Sequence, residues 1–344
     1  MPKKTRLLPH LCVWSCFVFF NLTLLSSIAG SQSTDDVHIV PRTTPAKNTP
    51  GPELIPSDAA PGLLSRSQPL RVTVNLVLVP VAVDDALNHP VMTLKKQDFS
   101  LYEDEKPREI RYFSSEAEPV SIAVLVDVSK SMTDKIDSER AAIRQFFENA
   151  DPRDEYFAIA FSSRPTLLAA STQSIDELQT KLTTIEPGGS TAMLDAVYLA
   201  ESVLRSAQYK RKAILIISDG GDNASRYTLR EIKHLVEESD AQIYAIGLFE
   251  TFFFNTLEER MGKRWLSAIT DRTGGHTVTV DNQAKLPEAA AEISREIRNE
   301  YVLGYRPARA IPNRWRRIRL QITARFGDQP FRAYYKKGYI TAEQ

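Results

Sequence analysis

Between Val120 and Glu300 the chain alternates two hydrophobic periods. SIAVLVDV from Ser121, EYFAIAFSS from Glu155, KAILIISDG from Lys212 and AQIYAIGLF from Ala241 are short apolar runs rich in β-branched and aromatic residues, as buried strands are. HTVTV from His276 adds a shorter one. The intervening segments change to a helical period. SERAAIRQFFENA, SIDELQTKLTTI, TAMLDAVYLAESVLRSA, TLREIKHLVEES, LEERMGKRWLSAITDRTGG and LPEAAAEISREIRNE are amphipathic, with Leu229, Ile232, Leu235 and Val236 on one stripe and Leu286, Ala290, Ile293 and Ile297 on another. Continuous apolar strands between such helices need cover on both faces. The pattern therefore predicts a doubly wound α/β domain over residues 119–300, its sheet mostly parallel.

The flanks alternate with period two instead. Over residues 68–118, Val72, Val74, Leu76 and Leu78 alternate with their neighbours, DDALNHP supplies a turn, and DFSLYEDEKPREIRYF alternates about a turn at Glu103 to Pro107. Over residues 301–344, YVLGYRP, RIRLQITARF and FRAYYKKGYI again read as strands. Neither flank holds enough strands to close a sandwich alone. Both are expected to build one β-sandwich-like module, with the α/β domain inserted between them.

Residues 1–30 combine a basic start at Lys3, Lys4 and Arg6 with an apolar stretch and small residues at Ser27 and Ala29, the anatomy of a secretory signal peptide. A secreted or periplasmic chain is the expectation, and an uncleaved anchor, the one route to a membrane, is the alternative. Residues 31–67 are dense in Pro, Ser and Thr without a period and are expected to be a disordered linker. Cleavage would remove Cys12 and Cys16, so the mature chain would hold no disulfide and no thiolate metal site. It would also take three basic residues from a chain with 43 basic and 43 acidic ones, leaving −3. That balance gives no field for nucleic acid. The local cluster NRWRRIRL, with Arg314, Trp315, Arg316 and Arg317, alternates inside a strand pattern and reads as a solvated sheet face.

The candidate chemistry lies where strands end. In doubly wound sheets, sites form outside the carboxyl ends of the strands. The first strand ends in Asp127, Ser129 and Ser131, a later one in Asp219, and a glycine turn delivers Thr191 to the start of a helix. Two carboxylates and three hydroxyls make an all-oxygen set suited to a hard divalent cation, Mg²⁺ with Mn²⁺ or Ca²⁺ as alternatives. The two carboxylates would repel without one. Asp195 and Asp222 are weaker candidates that orient loops around the site or are solvated. His234 and His276 have no ligating neighbour in sequence and read as structural.

Asp127-x-Ser129-x-Ser131, with Thr191 after its glycine turn and Asp219 in SDG, resembles the von Willebrand factor A domain over roughly Val120 to Glu300. The flanks, in VDDALNHPVMTLKKQDFSLYEDEKPREIRYF and EYVLGYRP, are similar to a secreted bacterial subgroup carrying that domain, described from acidobacteria. The resemblance implies a metal-ion-dependent adhesion site. Asp127 would anchor the ion, partly through water, Ser129, Ser131 and Thr191 would give hydroxyl oxygens, Asp219 would bind through water, and a protein partner's Asp or Glu would complete the shell. It also implies that the last helix of the domain can move. Lys130 stands where many members have Gly; a cation there either weakens metal binding modestly or points into solvent.

A binding protein, not an enzyme, is the reading these residues favour. The runner-up is a metal-dependent phosphoesterase, but Ser129 occupies the place where that chemistry needs a second Asp. Walker A, G-x-S-x-G and H-E-x-x-H sequences are absent. The third reading is a scaffold in which the ion only staples loops. A sequon at Asn223 matters only in a eukaryotic secretory host.

Overall fold

The computed structural model describes residues 76–249, 257–308, 312–326 and 329–341. The signal-peptide and linker segments, and both cysteines, lie outside the described residues. Among the described residues no helix is long and apolar enough to cross a membrane.

The chain opens with β1 (Val77–Asp84), β2 (Phe99–Glu103), β3 (Lys106–Arg108) and β4 (Ile110–Ser114). Then follow β5 (Ser121–Asp127), α1 (Ile136–Glu148), β6 (Glu155–Phe161), β7 (Pro165–Thr172), α2 (Ile175–Thr183), α3 (Met193–Leu204), β8 (Lys212–Ser218), α4 (Leu229–Glu238), β9 (Gln242–Leu248), α5 (Leu257–Thr270), β10 (Thr277–Val280) and α6 (Leu286–Arg298). The chain closes with β11 (Glu300–Tyr305), β12 (Trp315–Ile322), β13 (Arg325–Phe326), β14 (Gln329–Pro330), β15 (Arg332–Tyr335) and β16 (Gly338–Ile340).

The central sheet has the order β10-β9-β8-β5-β6-β7. All its pairings are parallel except β6 with β7. Strand pleating sends alternate side chains to opposite faces, and β5 shows the result. Ile122, Val124 and Val126 pack with Ala142, Ile143, Phe146, Leu286 and Ile293 of α1 and α6. Ala123 and Leu125 pack with Met193, Val197, Ile232 and Leu266 of α3, α4 and α5. Two helical layers thus enclose every core strand, which is why β5, β6 and β9 are buried at each position.

The flanks form two four-stranded sheets, β15-β1-β11-β4 and β16-β12-β2-β3. Each draws strands from both sides of the inserted domain: β1 pairs with β11, and β2 with β12, both antiparallel. Val79, Val81, Val83, Leu101, Tyr301, Leu303, Tyr305 and Ile318 fill the space between the sheets. The β2–β3 turn is built by Asp104 and Glu105, both at positive φ as a tight two-residue hairpin turn requires.

The basic cluster corrects one expectation. On β12 Trp315, Arg317 and Gln321 face solvent as expected, and Arg317 and the half-exposed Arg319 pair with Glu105. Arg316 is buried and donates to Glu103 at 2.8 Å. Alternation on a strand whose inner face meets a buried carboxylate turns one arginine of the run into a core ion pair.

Candidate functional site

β5 ends at Asp127, which is fully buried, and the chain turns at once because the Ser129 N–H donates to Asp127 Oδ1 at 3.0 Å, a two-residue Asx turn. A 3-10 turn over Lys130–Lys135 then leads into α1. Ser129 and Ser131 bring their hydroxyls to 3.1 Å from one another. On the neighbouring strand β8, Ser218 Oγ donates to Asp127 Oδ2 at 2.5 Å and accepts the Gly220 N–H at 2.9 Å. The second carboxylate, Asp219, follows directly, its Oδ1 taking the Gly221 N–H at 3.1 Å.

The Gly188–Thr191 loop closes the third side. Lys130 N–H donates to Gly189 O at 3.1 Å, and Gly188 N–H to Val128 O at 2.8 Å, so the two loops are laced through backbone. Gly189 takes a positive φ of 85° that admits this approach. Thr191 donates its N–H to Asn223 Oδ1 at 2.9 Å, while its own carbonyl accepts the Asn223 and Ala224 N–H groups. Thr191 is thereby held beside the Asp219 loop. Ser131, Thr191 and Asp219 line one cavity of about 470 Å³, together with Lys130, Lys135, Met261 and Trp265. Asp127 and Ser129 are buried behind it.

The electrostatics of this corner are acidic. Burial, reinforced by the nearby charge of Asp219, pushes the Asp127 carboxyl up to about 6 against the bonds from Ser129 and Ser218. Glu139 of α1, also fully buried, has no hydrogen-bond partner on either carboxylate oxygen among the described residues. Its burial and the charge of Asp127 hold its pKa well above the ordinary value. All the donors that converge here are oxygens, and among the described residues no group of three or more His, Cys, Asp or Glu is arranged to hold a metal. Asp127, Ser129, Ser131, Thr191 and Asp219 offer oxygen only, which is the donor chemistry of a hard cation.

Asp195 and Asp222 are placed differently. Asp195 accepts the backbone N–H groups of Arg226 and Tyr227 and the Arg226 Nε–H, holding the loop after β8. Asp222 lines the cavity but commits Oδ2 to the Leu194 N–H at 2.8 Å and the Ser225 hydroxyl at 2.6 Å, fixing the start of α3. Both orient loops. Three participants escaped the sequence reading: Glu139, Ser218 and Asn223. Glu139 lies four and seven residues before Ile143 and Phe146, on the buried stripe of α1, so the helical period could have exposed it. The exposed Lys130 side chain stands on the cavity rim.

Residues 122–221 match the family model of the von Willebrand factor type A domain. Inter-alpha-trypsin inhibitor heavy chain H4 of Homo sapiens is 26% identical over 153 residues, covering 40% of this chain and 16% of that protein. Its Bos taurus counterpart is 29% identical over 115 residues, covering 30% and 13%. The chain thus spans less than a fifth of the length of these curated relatives. Among solved structures, a von Willebrand factor type A protein from Catenulispora acidiphila is 13% identical with a TM-score of 0.47, covering 72% of this chain and 74% of that one.

Proposed function

The chain carries a von Willebrand factor type A domain, and from that premise we propose that it is a divalent-metal-dependent protein-binding module of adhesion type, working outside the cytoplasm. The observation that carries the reading is the gathering of Asp127, Ser129, Ser131, Thr191 and Asp219 from three loops at one edge of the sheet. Those residues would hold Mg²⁺. The ion, when bound, supplies an electrophilic centre, because hydroxyls bring it no charge and at most two carboxylates offset it. Asp127 would anchor the ion, Ser129 and Ser131 would add hydroxyl oxygens, and Asn223 holds the Thr191 backbone beside the Asp219 loop. The side open to the cavity is left for a partner's Asp or Glu.

Calorimetric titration of the full chain with Mg²⁺ and Mn²⁺, beside a folded Ser129→Ala, Ser131→Ala double variant, tests the site. We expect binding in the parent chain and its loss in the double variant. Absence of binding at millimolar metal, with and without acetate as a carboxylate mimic, removes the reading. An ion that only staples loops predicts that Asp127→Ala lowers the melting temperature while metal-independent partner capture persists. In the reading favoured here, capture fails in EDTA as well as in the variant.

A further inference from the structure

The cavity at the site is larger than a metal and its ligands need. Six waters at about 30 Å³ each fill roughly 180 Å³ around a hexacoordinate ion, while the cavity measures about 470 Å³. The remaining space is bounded by α5. There Gly262 sits against Gly220, so closely that a Cβ on either residue would stand 2.7–2.8 Å from the other's backbone. No side chain fits between loop and helix at that point. The contact brings Met261 and Trp265, one turn apart on the same side of α5, up to the Asp219 loop. Trp265 packs into the core beneath. Met261 stays 41% exposed, a large apolar side chain beside an otherwise polar site.

Lys130 and Lys135 both line the cavity. Asp219 and Asp222 line the same cavity, so its two lysines and two carboxylates balance in number, and a cation bound by Asp219 would leave the lysines free to meet a partner's carboxylate. One cavity thus offers oxygen donors for a cation, two lysines that attract negative charge, and an apolar wall.

We infer that this cavity selects partner segments in which the Asp or Glu is adjacent in sequence to a large apolar side chain, the carboxylate going to the metal position and the apolar group to Met261 and Trp265. The inference rests on the metal-dependent reading above and adds the chemistry of the neighbouring residue. Covering Met261 with a leucine-sized side chain is worth roughly tenfold in affinity.

The test uses the full chain in saturating Mg²⁺ and four capped hexapeptides with glycine at every other position: Asp-Leu, Leu-Asp, Asp-Ser and Asn-Leu at the centre. We expect the better of the two Asp/Leu peptides to bind about tenfold more tightly than Asp-Ser, and Asn-Leu not to bind. Met261→Ser should shrink the leucine advantage to within about twofold and Met261→Leu should keep it. Mg²⁺ titration without peptide should be unchanged in both variants. Equal affinities for the leucine and serine peptides, or an advantage that survives Met261→Ser, overturn the inference and leave the metal-dependent reading standing. Failure of every peptide to bind overturns it too, and the peptide-free Mg²⁺ titration then decides the function by itself.

Discussion

Gly262 occupies an interior position of α5, where replacing glycine with alanine normally gains about 1 kcal/mol of helix propensity. Here the sign reverses, because the added Cβ would stand 2.7 Å from the Asp219 carbonyl oxygen and 2.8 Å from the Gly220 backbone. Backbone on both sides leaves no flexible side chain to give way. We expect Gly262→Ala to destabilise the chain by about 1–3 kcal/mol and to weaken Mg²⁺ binding by tenfold or more, since relieving the clash displaces Asp219. Gly188→Ala is the matched control: nothing lies within 4 Å of its Cβ, so its effect should stay within about 0.5 kcal/mol. Urea midpoints and metal titrations of both variants check the pair, and a Gly262→Ala chain as stable as the parent would show that helix and loop do not touch. At this scale the sequence disclosed what the chain itself orders. Asp127, Ser129, Ser131, Thr191 and Asp219 were readable because each stands at a strand end or a glycine turn. The Gly220–Gly262 contact was not, for it joins residues 42 apart whose only shared sign is a missing side chain.

Elements meet around buried acids, and Glu201 of α3 is one whose titration can be followed. The Ser239 hydroxyl at the end of α4 donates to Glu201 Oε2 at 2.6 Å, whereas Oε1 has no partner among the described residues. Burial raises its carboxyl from the ordinary 4.5 to about 7, against Ser239, Lys336 of the β15–β16 turn, Arg205 and Lys212. The folded state therefore holds a proton that the unfolded chain releases above 4.5. This contribution to stability is fully present below that value and is lost as pH rises through about 7, a fall of about 3 kcal/mol. Glu201→Gln should remove that slope and leave the variant more stable than the parent at pH 8, with the difference shrinking toward pH 5. Urea midpoints across that range test it, and parallel profiles would refute the assignment. Most elements were visible beforehand: β5, β6, β8 and β9 are apolar through their interiors because helices cover both faces, and each of α1 to α6 carries an apolar stripe. β7 was not. It begins at Pro165, has only Ala169 buried, and pairs antiparallel at the sheet edge, so no two-sided apolar run marks it. FRAYYKKGYI, read as one strand, is two, because the chain passes from β1 to β12 across Lys336 and Lys337.

Across the whole molecule, the inserted domain is tied to the β module where the chain goes in and where it comes out. Arg211, just before β8, donates to the Glu118 carbonyl on the incoming side and to the Ile297 carbonyl and Glu300 on the outgoing side. Glu300 also accepts from Gln242 at 2.7 Å and from the Tyr244 hydroxyl at 3.1 Å. A single residue, Asn299, separates α6 from β11. Within the module, Glu103 plays the corresponding part. Burial by itself would raise its carboxyl, but the Ala308 N–H, Arg316 and the Tyr339 hydroxyl hold it below the ordinary range. With Arg108 and Tyr305 also bonded to it, one carboxylate joins β2, β3, β11, β12 and β16, strands from both flanks. Removing one partner of a buried ion pair costs about 3–5 kcal/mol, because the other charge stays behind in the core. Glu103→Ala should therefore lower the module's stability by that amount, and the junction at Arg211 decides what the α/β domain does. If the junction couples them, hydrogen exchange of the β5 and β8 amides and of the β2 and β11 amides will move together to one lower urea midpoint. Arg211→Ala, combined with Glu103→Ala, should then separate the two sets of amides, those of the β module opening first. Separate transitions in Glu103→Ala alone would mean that the domains are independent, and that movement of α6 would not be transmitted to β11.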